Sequence, residues 1–232
     1  MMLRELQALL AAVPGQEPYE AYARAVLEDN VLDKATAATR TKTLLHLRHL
    51  YALREDVPLF VALRELWPRD ETAQPLIALM SASARDPLLR ATADYMLGAP
   101  VGTRVTPEIL GAEVAEAYPS RYKPGVIHHI GQNTGSSWNQ AGYLEGRVRK
   151  YRSHPQPTEM ALVFALYLGH LEGRAGPALF TTLWARLLEA DDRWLRDKAA
   201  DAGRSGWIDH ASSGGMLDIG FRHLDVLARI AA

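Results

Sequence analysis

The residues of this 232-residue sequence best suited to chemistry lie between Arg121 and Arg152. Residues 121–154 hold Arg121, Lys123, Arg147, Arg149, Lys150 and Arg152 against a single carboxylate, Glu145. Cations gathered in this way neutralise phosphates and release counterions whatever the base sequence. Between the two basic groups run His128, His129, Gln132, Asn133, Thr134, Ser136, Ser137, Asn139 and Gln140. Their donors and acceptors suit base edges and phosphate oxygens. The set expected to touch DNA is Arg121, Lys123, His128, His129, Gln132, Asn133, Ser136, Arg147, Arg149, Lys150 and Arg152. Arg193 and Arg196 form a smaller second set, with Lys198 and Arg204 nearby and Asp191, Asp192, Asp197 and Asp201 offsetting them. The bland alternative for both sets is a solvated basic surface without a partner.

Signals for catalysis and metal binding are weak. His46 and His49 share a helix face at i and i+3, but no third ligand stands at a telling spacing. His128 and His129 are adjacent and diverge on a helix. Gly173-Arg174-Ala175-Gly176 lacks the Gly-Lys-Ser/Thr ending of a phosphate loop. There is no Gly-x-Ser-x-Gly elbow, and scattered carboxylates define no acid–base pair. The absence of cysteine excludes a disulfide scaffold, a Cys-based zinc finger and a thiol nucleophile. The sequence therefore predicts a chain that is not an enzyme and needs no metal or cofactor. An enzyme of unrecognised type is a third, weaker reading.

These residues need elements to position them. The first hundred residues read as helices. Leu3, Leu6, Leu9 and Leu10 mark one, stopped by Pro14-Gly15, and a second spans about Pro18 to Asp29. A third starts near Thr36, with Leu44, Leu47, Leu50 and Tyr51 on one face. Pro58, Pro68, Pro75 and Pro87 each predict a helix start, because the first turn has no use for the missing N–H. Gly98-Ala99-Pro100-Val101-Gly102 reads as a linker. Thr106-Pro107-Glu108 then opens a helix ending at Tyr118-Pro119, and Pro124 opens another running to about Ala141, closed by Gly142. Val126, Ile127, Ile130 and Trp138 are expected to face inward. Gly131 and Gly135 leave open a break in this helix. Tyr143 to Arg152 reads as two strands around a turn.

Helix, turn, helix and basic hairpin is the order of a winged helix-turn-helix. In that motif the second helix enters the major groove and the wing rides on the backbone. A similar order recurs. Helices are expected over Thr158–Gly169, Pro177–Leu188 and Asp191–Ala202, the last closed by Gly203. Trp207–Ala211 and Met216–Phe221 follow as strands around Ser212-Ser213-Gly214-Gly215, with a final helix over 222–231. The expected fold is therefore mainly α, with a helical N-terminal domain (1–100) followed by two winged helix-turn-helix units with short β-hairpin wings (101–155 and 156–232).

The net charge of -1 gives no overall sign of a nucleic-acid partner, so the local excess at 121–154 carries that signal. The N-terminus has no signal-peptide pattern, and the most apolar run, Met160–Gly169, is too short to span a bilayer. A cytoplasmic protein without a membrane partner is expected.

Three stretches also resemble the BrxA family of BREX phage-defence systems. They are Thr36-Ala37-Ala38-Thr39-Arg40, Ala78-Leu79-Met80-Ser81-Ala82 and Ser136-Ser137-Trp138-Asn139-Gln140-Ala141-Gly142-Tyr143-Leu144, within roughly residues 20–150. That resemblance implies a small helical, winged-helix DNA binder in a multi-protein bacterial antiviral system. The expected function is non-catalytic binding of double-stranded DNA, with other defence-system proteins as further partners. The rival expectation is a protein-interaction adaptor, since winged helices also serve as docking or dimerisation modules and a homodimer is compatible with either.

Overall fold

The computed structural model describes residues 1–213 and 216–230. Among the described residues the chain is mainly helical with two small antiparallel sheets. The N-terminal part contains α1 (Leu3–Ala12), α2 (Tyr19–Leu27), α3 (Ala37–Tyr51), α4 (Pro58–Leu66), α5 (Gln74–Arg85), α6 (Pro87–Ala91) and α7 (Ala93–Gly98). Local capping chemistry explains several of these starts. The Thr36 hydroxyl accepts from the Thr39 amide, and the Asp86 carboxylate accepts from Leu88 and Leu89. Pro58, Pro75 and Pro87 lie in the first turns of α4, α5 and α6. Pro68 does not open a helix. It falls in the turn after α4, and the next element, a 3-10 turn, is capped instead by Asp70, which accepts from Thr72.

Residues 104–152 contain β1 (Arg104–Val105), α8 (Pro107–Ala117), α9 (Pro124–Gln140), β2 (Leu144–Glu145) and β3 (Lys150–Arg152). The three strands form one antiparallel sheet in the order β1-β3-β2. Arg104 pairs with Tyr151, and Glu145 pairs with Tyr151 from the other side. Strand β1 has no counterpart in the sequence reading. Helix α9 is unbroken over 17 residues despite Gly131 and Gly135, and Gly142 follows it in the left-handed conformation.

The C-terminal part contains α10 (Glu159–Leu171), α11 (Leu183–Arg186), α12 (Asp192–Arg204), β4 (Asp209–Ser213), β5 (Met216–Gly220) and α13 (Arg222–Ile230). The helix expected over 177–188 is split. Residues Gly176–Thr181 form a 3-10 turn, and the Thr182 hydroxyl then caps α11 by accepting from Ala185. Gly203 does not close α12. It lies inside the helix, and the left-handed turn residue is Gly206. Strands β4 and β5 pair antiparallel from Asp209↔Gly220 to Ser213↔Met216. The Gly214-Gly215 turn lies outside the described residues.

Helix α10 explains how these parts cohere. Every residue from Met160 to Gly169 is buried, and the helix packs on α4, α5, α11 and α12. A helix apolar all round belongs inside a core rather than on a surface. Most of the buried apolar residues form one cluster running from Leu6 to Leu224. No helix among the described residues is long and apolar enough to cross a membrane.

Candidate nucleic-acid interface

The α8–α9 pair is built on glycine. A Cβ at Gly131 would lie 2.8 Å from the Pro107 carbonyl carbon and 3.0 Å from the Gly111 nitrogen, and closer still to the Pro107 oxygen. A Cβ at Gly111 would meet Ile127 Cγ2 at 2.9 Å, and one at Gly135 would meet Leu110 at 3.2 Å. The two helices therefore touch backbone to backbone. The glycines that weaken α9 as an isolated helix are what let it lie against α8.

The far end of α9 is anchored by polar bonds. Trp138 is fully buried, and its indole N–H donates to the Thr92 hydroxyl at 2.8 Å. Its ring meets Tyr143 edge-on at 4.8 Å. Asn139 donates to the Leu144 carbonyl at 2.6 Å, fixing β2 to the end of the helix. Lys150 reaches back from β3 to the Gly135 carbonyl at 3.3 Å, and burial lowers its pKa. It is half-buried and therefore only partly available to an outside anion.

The first half of α9 stands out into solvent. Gly125, Val126, His129, Gln132, Asn133 and Ser136 are exposed and recur at helical spacing along one face. Val126, expected to face inward, lies on this outer face at 45% exposure, while Ile127 and Ile130 are half-buried. The polar groups form a short chain. His128 Nδ1 lies 3.2 Å from Glu108 Oε1, and the Gln132 amide links His128 Nε2 at 3.1 Å to His129 Nδ1 at 3.2 Å. The Thr106 hydroxyl, followed by its own backbone amide and the smaller effect of His128, holds the Glu108 carboxyl below the usual range. Asn133 and Ser136 border a cleft of about 340 Å³ whose other wall includes His46 and His49 of α3. At the end of α9, Gln140 accepts from the Leu3 amide and donates to the Met1 carbonyl, so this part is covered by the N-terminal residues.

Arg121 and Lys123 are exposed in the turn before α9, with the Arg121 guanidinium beside the rings of Tyr118 and Tyr122. Arg147 and Arg149 are exposed in the β2–β3 loop, on either side of Val148, which is 91% exposed. That loop is tight. Gly146 has φ +97°, and a Cβ there would strike the Arg149 carbonyl.

Arg152 does not join them. Its side chain is 1% exposed and paired with Glu189. Its Nε donates to the Met96 carbonyl at 2.7 Å, and its guanidinium also reaches the Ser153 carbonyl. The neighbouring Tyr143 hydroxyl donates to the Leu187 carbonyl. Strand geometry is the reason: Tyr151 points outward, so Arg152 points inward. Arg152 holds the small sheet against the segment before α12 and cannot meet a phosphate.

Arg193 and Arg196 are exposed on α12 but are matched by their own helix. Arg196 pairs with Asp192 at 2.7 Å and Arg193 lies 3.7 Å from Asp197, both at i,i+4. Lys198 and Arg204 both pair with Asp201. Among the described residues, Arg121, Lys123, Arg147 and Arg149 have no such carboxylate. Sequence reasoning passed over Arg104, which is exposed on β1 beside Tyr151. Only the alternation Arg104-Val105 hinted at a strand there. No cluster of three metal-ligating side chains occurs among the described residues.

No protein-family model, curated protein or solved structure matches the chain.

Proposed function

We propose that the chain is a non-catalytic DNA-binding protein that reads duplex DNA with α9 and rests the β2–β3 loop on the backbone. The observation that carries this reading is the contrast in ion pairing: the cations around α9 and in the loop lack carboxylate partners among the described residues, whereas each of those on α12 has a carboxylate of its own helix within 4 Å. Unmatched cations are the ones that gain from releasing phosphate counterions. The topology supports a winged helix-turn-helix over residues 101–155. Helices α8 and α9 lie between β1 and the β2–β3 hairpin in a sheet ordered β1-β3-β2, and α6, which precedes that span in the chain, packs against both helices. In this reading, which extends the resemblance to BrxA proteins, the chain would serve in a cytoplasmic bacterial phage-defence system.

The test is the affinity of the full chain for duplex DNA across a salt series, by fluorescence anisotropy. Affinity should fall steeply with salt. The R147E/R149E variant should bind far more weakly at low salt while melting at the wild-type temperature. Equal affinity of variant and wild type would sink the role given to the loop, and salt-independent or absent binding would sink the reading itself.

For residues 156–232 a second reading is favoured by the same contrast. A winged unit whose helix α12 pairs its own cations with carboxylates suits a protein partner, such as another defence-system subunit or a second copy of this chain, better than a phosphate backbone.

A further inference from the structure

Helix α3 was not part of the basic segment, because residues 1–120 together carry more acid than base. Taken alone, it has a different character. Its 15 residues include Arg40, Lys42, His46, Arg48 and His49 and no Asp or Glu. Thr39, Lys42, His46 and His49 are all exposed and stand at i, i+3, i+7 and i+10, which is one face of the helix. Arg48 points elsewhere and sits over the Tyr19 ring. Lys42 has no carboxylate partner among the described residues. The apolar residues Leu44, Leu47 and Tyr51 on the opposite side are buried and fix this orientation.

His46 and His49 face α9 across a cleft, and Lys42 lies one turn before His46 on the same face of α3. His46 and His49 form one wall of the cleft of about 340 Å³, and Asn133 and Ser136, from the outer face of α9, belong to the other. The one carboxylate lining that cleft, Asp86, is already engaged as the cap of α6. Two helices flanking a cleft stand at least the roughly 8–10 Å apart of packed helices. A B-DNA major groove is about 12 Å wide. With α9 in the groove, α3 across the cleft stands beside it, on the side of one flanking phosphate strand.

We infer that α3 is a second DNA-contacting element, whose Lys42, His46 and His49 hold the phosphates on one side of the groove entered by α9. This inference rests on the DNA-binding reading above and extends the interface from residues 104–152 to the N-terminal helices. Lys42 supplies a cation, and the imidazoles supply hydrogen bonds to phosphate oxygens.

The test compares full-length wild type, K42Q, H46A/H49A, R147E/R149E and, as a control for general charge effects, R193E. Each is titrated against duplex DNA at several salt concentrations, with thermal melts confirming the fold. One lost phosphate contact lowers the slope of log affinity against log salt by about 0.9 and, referred to 1 M salt, weakens binding roughly eightfold near 0.1 M salt. K42Q should show that change and H46A/H49A a loss of affinity, while R193E stays near wild type. Binding by K42Q and H46A/H49A that matches wild type, with R147E/R149E impaired, overturns the role of α3 and leaves the α9 reading standing. A loss in R193E equal to that in K42Q overturns it as well. Failure of wild type to bind DNA removes both.

Discussion

Replacing Gly131 by alanine separates two effects that act in opposite directions on α9. As a helix residue, alanine is better than glycine by about 1 kcal/mol. As a packing residue it is excluded, since its methyl would stand 2.8 Å from the Pro107 carbonyl carbon and 3.0 Å from the Gly111 nitrogen, with the oxygen nearer still. Optimal contact needs about 3.5–4.0 Å, so α8 and α9 must part by roughly 1 Å or more. Neither obstacle is a side chain that can swing aside. Overpacking of this kind costs about 1–3 kcal/mol and sometimes more, and a rigid backbone neighbour belongs at the upper end. After the gain in propensity, Gly131→Ala should lose about 2 kcal/mol.

Gly125 provides the internal reference. It lies in the first turn of the same helix, and a Cβ there would meet nothing within 4 Å. Gly125→Ala should be neutral or slightly stabilising, so the difference between the two variants isolates the helix crossing. A thermal melt measures it directly. For a chain of this size each kcal/mol moves Tm by about 2–4 °C, so Gly131→Ala should melt roughly 4–8 °C below wild type. Under the proposed function its affinity for duplex DNA should also fall, because α9 would shift relative to β2 and β3. If Gly131→Ala melts at or above the temperature of Gly125→Ala, the backbone contact between α8 and α9 does not set this geometry.

Two further predictions concern the anchors of the interface. Arg152→Ala should destabilise the chain by about 3–5 kcal/mol in a denaturant titration, because it leaves the mostly buried Glu189 with only the exposed His154 beside it; an effect below about 1 kcal/mol would mean that the guanidinium is not holding the sheet. Trp138→Phe and Thr92→Val each remove one side of a buried hydrogen bond 2.8 Å long. A double-mutant cycle on denaturant stability should give a coupling of about 1 kcal/mol, and additive losses would show that the bond contributes nothing of its own.

What could be read from the sequence was local. Thr36, Thr106 and Thr158 mark helix starts because a hydroxyl and an amide three residues on decide the matter between them. The Pro177–Leu188 expectation failed for a comparably local reason: Thr182 competes as a cap inside the apolar run and restarts the helix. Strand β1 was out of reach because two residues carry almost no pattern, and its partner in β3 stands more than forty residues away. The α3 face was hidden by averaging: the carboxylates of the other N-terminal helices cancel its charge in any count along the chain, and only folding sets that face apart from them.

Arg149 and Arg152 show why a basic run is not yet an interface. Both lie in one short stretch, and nothing in their types distinguishes them. Pairing of Leu144 with Arg152 and of Glu145 with Tyr151 fixes the register of the hairpin. Side chains alternate across a strand, so that register sends Tyr151 outward and Arg152 inward, while the loop beyond the pairing leaves Arg147 and Arg149 in solvent. A slip by one residue would reverse the assignment. The register is held from both sides: Leu144 is buried on the inner face, and Asn139 of α9 binds the Leu144 carbonyl. The arginine turned inward then meets Glu189, 37 residues further along the chain, and ties the small sheet to the C-terminal helices. In the proposed function, one arginine thus serves to position the loop while its neighbours serve to bind, and the choice between them is made by the pairing of two residues in β2.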